Sequence, residues 1–448
     1  MDFDFEGFGD FSVQLENLEM KKLKKFDRMW SVKKGGSVWS IPLVEDGVVY
    51  FGAYDNKIYA VNENSGEEIW RIETGGPIVA NSPRIHKQKL FMGSNDGFFY
   101  CIDKNGKVLW KFKTGGEIAC STPAFLDNIV FFGSKDCNVF ALDIVTGREV
   151  WRFKAGDTIM SSPTVWNSRL FIGSYDSHMY CLDAKTGREV WRKKLGAEVV
   201  NECPFVIYND VLYFSSFDNF LYAVRAPGGQ EVWRFRTGQY GNSFASVIYK
   251  DVIYHASRDG VLFALTLDGK ELWRKNFDGC MYSTLVAYNE HLYFGVEDGF
   301  IYCVDMMGNV EWKFRTGQNL TMCPTLSSNK LYFGAWDCHV YCLDMEGNEI
   351  WRFTTSSTAP AEMSSPYSIF KMEIKKTIDE SETIDSESKY SDKTENINLS
   401  EYGTKSEYVT KSEYTHKSEY TTDFVIFEGA NEWNSNSVIS GPKSKLLK

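Results

Sequence analysis

Residues 159–192 read IMSSPTVWNSRLFIGSYDSHMYCLDAKTGREVWR. Four short apolar runs follow one another: Pro163 with Val165, then residues 170–172, 179–182 and 190–191. Turn chemistry separates them, at Asn167-Ser168, Tyr175-Asp176-Ser177 and Lys185-Thr186-Gly187. Runs of this length, cut by such residues, predict a meander of four antiparallel strands, A to D, with A nearest an axis. Gly187 stands where the C–D hairpin needs a positive φ, which glycine adopts without steric cost.

The unit recurs. Tryptophan marks its end at Trp30, Trp70, Trp110, Trp151, Trp191, Trp233, Trp273, Trp312 and Trp351, so by subtraction the steps are 40, 40, 41, 40, 42, 40, 39 and 39 residues. A period near 40 with strand content is what a four-stranded propeller blade requires, and the 3.6-residue periodicity of helical repeats is missing. Strand B carries Tyr50-Phe51-Gly52, Phe91-Met92-Gly93, Phe131-Phe132-Gly133, Tyr293-Phe294-Gly295 and Tyr332-Phe333-Gly334. Its glycine is expected to admit a neighbouring backbone or aromatic ring. Strand C carries Tyr59-Ala60-Val61, Tyr100-Cys101-Ile102, Tyr180-Cys181-Leu182 and Tyr222-Ala223-Val224, so its middle site takes a small apolar group. Each tryptophan removes roughly 200 Å² from water, worth at most about 5 kcal/mol gross.

Complete A–B–C–D sets start near residue 38, end near residue 353 and number eight. Two pieces are left over: residues 26–32, a lone D strand with Trp30, and residues 363–370, a lone A strand whose Pro366 keeps register with Pro324 and Pro163. A nine-bladed ring could draw degenerate strands from residues 371–385, but these lack the aromatics and glycine. The expected fold is all-β: one propeller of eight four-stranded blades over residues 28–370, between an acidic extension (1–27) and a low-complexity tail (371–448).

Residues 93–116, GSNDGFFYCIDKNGKVLWKFKTGG, resemble the PQQ-like β-propeller repeat, whose consensus reads like GSxDGxxYALDxxTGxxxWxxxTGG. The resemblance extends over about residues 28–370. It implies the propeller architecture and leaves function open, because the family holds quinoprotein alcohol dehydrogenases, the lipoprotein of the outer-membrane barrel-assembly machine and stand-alone scaffolds. Dehydrogenases of the family use a catalytic Asp, a calcium site, a Trp under the quinone and often an adjacent-cysteine disulfide. Here no Cys-Cys pair occurs, and no insertion breaks the 39–42 residue spacing to build a substrate pocket. No cofactor is therefore expected, with a PQQ-dependent oxidoreductase as the competing reading and a small-molecule sensor with its ligand in the axial channel as a third.

The 448 residues are 43% hydrophobic and 15% aromatic, as a large β domain requires. A net charge of −11 argues against a nucleic-acid backbone as partner. No apolar run approaches eighteen residues, so no transmembrane helix is expected. The start, MDFDFEGFGDFSVQ, lacks a basic n-region, an apolar h-region and a lipobox cysteine. Ten scattered cysteines, with Cys101, Cys181, Cys303 and Cys342 at the small strand-C site and Cys120, Cys203 and Cys323 on strand A, suit a reducing cytoplasm. The tail repeats SEYGTK, SEYVTK, SEYTHK and SEYTTD, a composition that cannot bury a core; Tyr402, Tyr408, Tyr414 and Tyr420 would be its sites if the hexad is a linear motif.

The most regular polar residue is the B–C turn aspartate: Asp55, Asp96, Asp136, Asp176, Asp218, Asp259, Asp298 and Asp337. A group present in every blade is expected to serve the ring, accepting backbone N–H bonds in its own turn, because an active site needs asymmetry. Asp103, Asp143, Asp183, Asp305 and Asp344, which open C–D hairpins, are read the same way. The six histidines are dispersed; His178 and His339, the latter beside Cys338, share one turn position and are read as surface turn residues. No P-loop, GxSxG or HExxH motif occurs.

Differences between blades say more. Before the turn aspartates stand Tyr54, Asn95, Lys135, Tyr175, Phe217, Arg258, Glu297 and Trp336. The D–A loops, expected on the same face, add Glu117, Asp157, Glu198 and Tyr240, with Trp39 and Tyr282 near the start of strand A. Aromatics and arginine anchor interfaces. The expected function is thus a non-enzymatic, monomeric scaffold binding a protein or peptide through Tyr54, Tyr175, Phe217, Trp336, Lys135 and Arg258.

Overall fold

Strand and turn fall where the pattern places them. The computed structural model describes residues 36–355 except 243 and 321. Their thirty-two strands, β1 to β32 in chain order, form eight four-stranded antiparallel sheets, each built from four consecutive strands. The quoted unit becomes β13 (Thr164–Trp166), β14 (Arg169–Gly173), β15 (His178–Asp183) and β16 (Glu189–Lys194), and Gly187 has φ 69°. Blades 1 to 8 span residues 43–73, 84–113, 124–154, 164–194, 206–236, 247–276, 286–315 and 325–354. The middle strands are buried, whereas the outer D strands alternate between exposed and half-buried positions.

The D strand carries the same irregularity in every blade. Opposite strand C the register slips by one residue just before the tryptophan, as where Cys181 faces Trp191 but Leu182 faces Glu189. This bulge aims the indole at the next blade. Trp70 lies against Gly106 and donates its Nε1–H to the Lys104 carbonyl at 2.9 Å. Trp110, Trp151, Trp191, Trp233 and Trp312 each repeat that bond one blade further on. The strand-B glycines meet the next blade too: a Cβ on Gly52, Gly93, Gly133 or Gly173 would come within 2.4 Å of Ile78, Ile118, Ile159 or Val199. The space is taken by an aliphatic side chain of the D–A connection entering the next blade, and at Gly173 also by the Val199 carbonyl oxygen at 2.5 Å; the neighbouring backbone was expected, the aliphatic side chain was not.

Both contacts close the circle. Trp351 of blade 8 packs on Gly66 of blade 1 and donates to the Glu63 carbonyl at 2.9 Å. Gly334 meets Val38, and Val38 N–H donates to the Ala335 carbonyl at 3.0 Å. Blade 8 thus closes on blade 1, and the nine-bladed alternative falls. No strand is exchanged between these two blades; each draws all four from its own stretch of chain. Trp30, the leftover strands at 26–32 and 363–370, the extension 1–27 and the tail 371–448 lie outside the described residues. Among the described residues no helix is long and apolar enough to cross a membrane.

Candidate functional site: the axial mouth

The turn aspartates are occupied by the ring. Asp176 Oδ1 accepts the His178 N–H at 3.0 Å, and its Oδ2 accepts the Tyr180 hydroxyl at 2.6 Å and the Gly156 N–H, from the incoming D–A loop, at 2.7 Å. Asp96, Asp218 and Asp337 do the same in their blades. Asp55 and Asp298 accept the tyrosine of their turn, Asp136 a loop glycine and its own turn, and Asp259 the Gln239 N–H. The hairpin aspartates bind their own turns, as Asp143 binds the Val145 and Thr146 amides, which holds its carboxyl below the usual range.

The backbone of the preceding residue is pinned as well. Tyr54, Lys135, Tyr175, Phe217 and Trp336 each donate their N–H to a carbonyl of the D–A connection entering the same blade, at 2.9–3.2 Å. B–C turns and D–A connections therefore share one face, and the variable side chains stand on it over a fixed backbone.

These side chains divide into two clusters and two separate residues. Trp39 stacks on Tyr54 with ring centroids 6.2 Å apart and tilts against Trp336 at 5.6 Å, joining blades 1 and 8. Val79, Ala80, Ala119, Cys120, Met160 and Met322, from the inner segments of other blades, pack in the same cluster, which places it at the mouth of the axial channel. Across the ring, the Arg258 guanidinium lies 4.8 Å from the Phe217 ring and 5.0 Å from the Tyr282 ring, a cation–π sandwich across blades 5, 6 and 7. Lys135 pairs with Glu117 at 2.7 Å, and Tyr175 is half-buried. Burial, with nearby Cys120, Glu198 and Glu202, raises the Tyr175 hydroxyl above the ordinary tyrosine range.

Glu202 was not singled out by its sequence. Its side chain is buried, and burial pushes its carboxyl up to about 7, with Arg258 and the Trp39 indole pulling the other way. Its field reaches Tyr54 and Cys120, both raised chiefly by their own burial. The signal was present: the Trp191–Trp233 step of 42 is the longest in the series, and Gly196 stands 22 residues before its aspartate partner where other blades show 20 or 21. The extra length lies ahead of strand B, where Asn201 bridges in parallel to Ser161 and the Glu202 carbonyl accepts the Ser162 hydroxyl.

The mouth thus combines aromatic faces, a held guanidinium and a carboxyl that titrates near neutrality, a set able to grip a side chain with both an apolar and a charged part. His178 and His339 lie against their own turn aspartates, Asp176 and Asp337. Among the described residues, no three His, Cys, Asp or Glu side chains converge as a metal site would require.

The family model of the β-propeller of the β-alanine-activating enzyme matches residues 129–384, more than half of the 448. The model of the outer membrane protein assembly factor BamB matches residues 27–111 and 55–165. No curated protein matches the chain. Among solved structures, BamB from Moraxella catarrhalis aligns at 17% identity with a TM-score of 0.58, over 66% of this chain and 92% of that one. The computationally designed Ika8 protein aligns at 16% and 0.62 (69% and 97%), and a europium-containing methanol dehydrogenase at 15% and 0.58 (68% and 84%). At such identities the structures speak for fold alone, and the relatives include an enzyme as well as an assembly factor. With the repeat, the closed ring of eight blades and the model match together, the chain is a PQQ-like repeat β-propeller and belongs to the family of the β-alanine-activating enzyme propeller.

Proposed function

We propose that this propeller is a non-enzymatic scaffold that binds a protein or peptide at the axial mouth, through Trp336, Tyr54 and Phe217 with Arg258, Lys135 and Tyr175 around them. The observation that carries the reading is the division of labour on this face. The residue repeated in every blade is spent on ring hydrogen bonds, while the residue beside it changes from blade to blade and supplies rings and guanidinium at a half-exposed surface. Such side chains make interface anchors, since they bring large contact area at small entropic cost. The kinship with an outer membrane protein assembly factor agrees with an assembly role for the fold. No disulfide joins any of the ten cysteines, which fits a reducing cytoplasm.

Peptide display on the immobilised full chain tests this. Selected peptides should lose about 2 kcal/mol, some thirtyfold in Kd, on Phe217→Ala or Trp336→Ala. Unchanged affinity with lower thermal stability would make these rings packing elements. Reconstitution with PQQ and calcium, assayed by dye-linked alcohol oxidation, addresses the competing reading, and sustained turnover would displace the scaffold.

A further inference from the structure

Several inner residues leave the repeat. Arg84 opens strand A of blade 2 where the other blades carry Leu, Ala, Val or Thr. Ser246 precedes strand A of blade 6 where five blades have proline, and His255 stands on strand B where the others have Phe, Met or Ile. Ser246 Oγ and His255 Nδ1 answer each other at 2.9 Å. Glu202 is not answered in that way. It is only 9% exposed, yet its Oε2 meets no hydrogen-bond partner among the described residues. A buried acceptor without a donor is rare in a folded protein and marks a place for a bound group.

Charge on the mouth face is one-sided. Besides the eight turn aspartates, the B–C turns and D–A connections hold Glu117, Asp157, Glu198, Glu202, Asp278 and Glu297, and their only bases are Lys135 and Arg258. Eight and six acids against two bases give −12, so the rest of the chain, at −11 overall, balances to +1. The D strands bring Lys113, Lys154, Lys194, Arg236 and Arg315 to the same face, but at its outer rim, so the acids lie nearer the axis. Asp157 and Glu198 stand in the connections leading into blades 4 and 5. Lys135 is paired with Glu117, whereas neither Asp157 nor Glu198 is ion-paired among the described residues. The half-buried Tyr175 ring is close by, since the fields of Glu198 and Glu202 both reach its hydroxyl. The face already holds one cation against rings, Arg258 between Phe217 and Tyr282.

We infer that the mouth takes a basic segment of a protein partner, with a lysine or arginine side chain laid along the Tyr175 ring and its N–H groups donating to Glu202 and Glu198. This rests on the reading of the mouth as a peptide-binding surface and names the chemistry of the peptide. An ammonium or guanidinium carries donors only, which is what Glu202 Oε2 lacks, and the ring covers its apolar stem. Arg258 is the cation whose field meets Glu202; set against Glu202, Glu198 and Asp157, it leaves the seat negative. The other titratable groups that sense Glu202 are the Tyr54 and Tyr175 hydroxyls and the Cys120 and Cys203 thiols, all raised by burial and neutral at pH 8. Binding therefore favours the ionised form of Glu202, and affinity rises with pH.

Fluorescence anisotropy of labelled nonapeptides on the full chain tests this, using alternating lysine and serine, the arginine counterpart, and counterparts with glutamine or glutamate at the basic positions. Both basic peptides should saturate the chain one to one, the glutamine peptide should bind at least tenfold more weakly, and the glutamate peptide should not bind. With the Glu202 carboxyl held at about 7, affinity should rise up to about tenfold between pH 6 and pH 8. Glu202→Gln should abolish that rise, and Glu198→Gln should weaken binding roughly threefold or more. Glu346→Gln, on a C–D hairpin of the other face, should leave it unchanged. Residues 21–25, KKLKK, lie outside the described residues; replacing their four lysines by glutamine should not alter affinity, and a tenfold gain would make that run the occupant in place of a partner. Equal binding of the lysine and glutamine peptides, or a pH rise that survives Glu202→Gln, overturns the inference. If peptides selected by display depend on Trp336 but are neutral or acidic, the inference falls and the scaffold stands. If the basic peptides bind while Phe217→Ala and Trp336→Ala change nothing, the ring anchors fall and the acidic seat stands.

Discussion

Replacing Glu202 by glutamine should stabilise the ring at alkaline pH and leave it unchanged in acid. The folded protein holds this carboxyl at about 7, against 4.5 for the ordinary side chain. Folded Glu202 thus binds its proton more tightly than unfolded Glu202, and between those two pH values the native state carries more protons. Stability contributed at this site is fully present below pH 4.5 and lost as pH rises through 7. At 1.36 kcal/mol per pH unit, the ionised side chain costs about 3 kcal/mol above pH 7. Glutamine keeps the shape and never ionises. The difference between variant and wild type should therefore be near zero at pH 4.5 and approach 3 kcal/mol at pH 8, a rise in Tm of roughly 5 °C by the usual scaling. Melting curves of both proteins between pH 4.5 and 8 measure it, and taking the difference removes every group the two proteins share. A difference that stays flat with pH would mean that Glu202 is already ionised at pH 5, and that burial does not raise its carboxyl.

Three further outcomes follow from the ring contacts. Trp351→Ala removes the indole packed on Gly66 and the bond to the Glu63 carbonyl, and urea denaturation should show a loss of about 3–5 kcal/mol, equal to that of Trp191→Ala because the closing contact repeats the others. Gly133→Ala would set its Cβ 2.1 Å from Ile159 Cγ2, an overpacking expected to cost about 1–3 kcal/mol by the same assay. Asp176→Ala leaves the Tyr180 hydroxyl and the Gly156 and His178 amides without their acceptor; differential scanning calorimetry should show about 1–3 kcal/mol lost.

The architecture was legible because each blade states it again. Tryptophan spacing, Gly187 and its counterparts, and the small strand-C residues all answer to contacts within a blade or with the next one, and those contacts sit at a fixed sequence distance. The close approach at the strand-B glycine was legible, but its aliphatic partner was not: Ile159, the residue that crowds Gly133, belongs to another repeat, and no single repeat shows it. Tyr54 and Trp336 were visible as variable turn residues, but their shared neighbour Trp39 was visible only as an aromatic near a strand start. Joining the three required the ring to close, since Tyr54 and Trp336 lie at opposite ends of the described chain.

The axis is where this limit bites hardest, and that bears on function. Around the rim the polar repeat positions are answered by their own turn or by a neighbouring blade: six turn aspartates by an incoming loop amide, the indole by a hairpin carbonyl. At the centre the inner segments bond to the next blade, as Ser162 does to the Glu202 carbonyl, and they also face a common space. A hydrogen-bonding residue that departs from the repeat there draws its partner from outside the repeated pattern, as Ser246 does from His255. Arg84, Glu202, Ser246 and His255 all depart from what their sister blades carry at or near those positions, and all four are drawn from blades 2, 5 and 6. A sequence selected only to close a ring would have kept the proline before strand A and the apolar residue at His255, because each satisfies its blade without a buried polar group that needs a partner. The departures have the form of a built interior, and their cost to the core is the physical ground for looking along the axis for what this propeller binds.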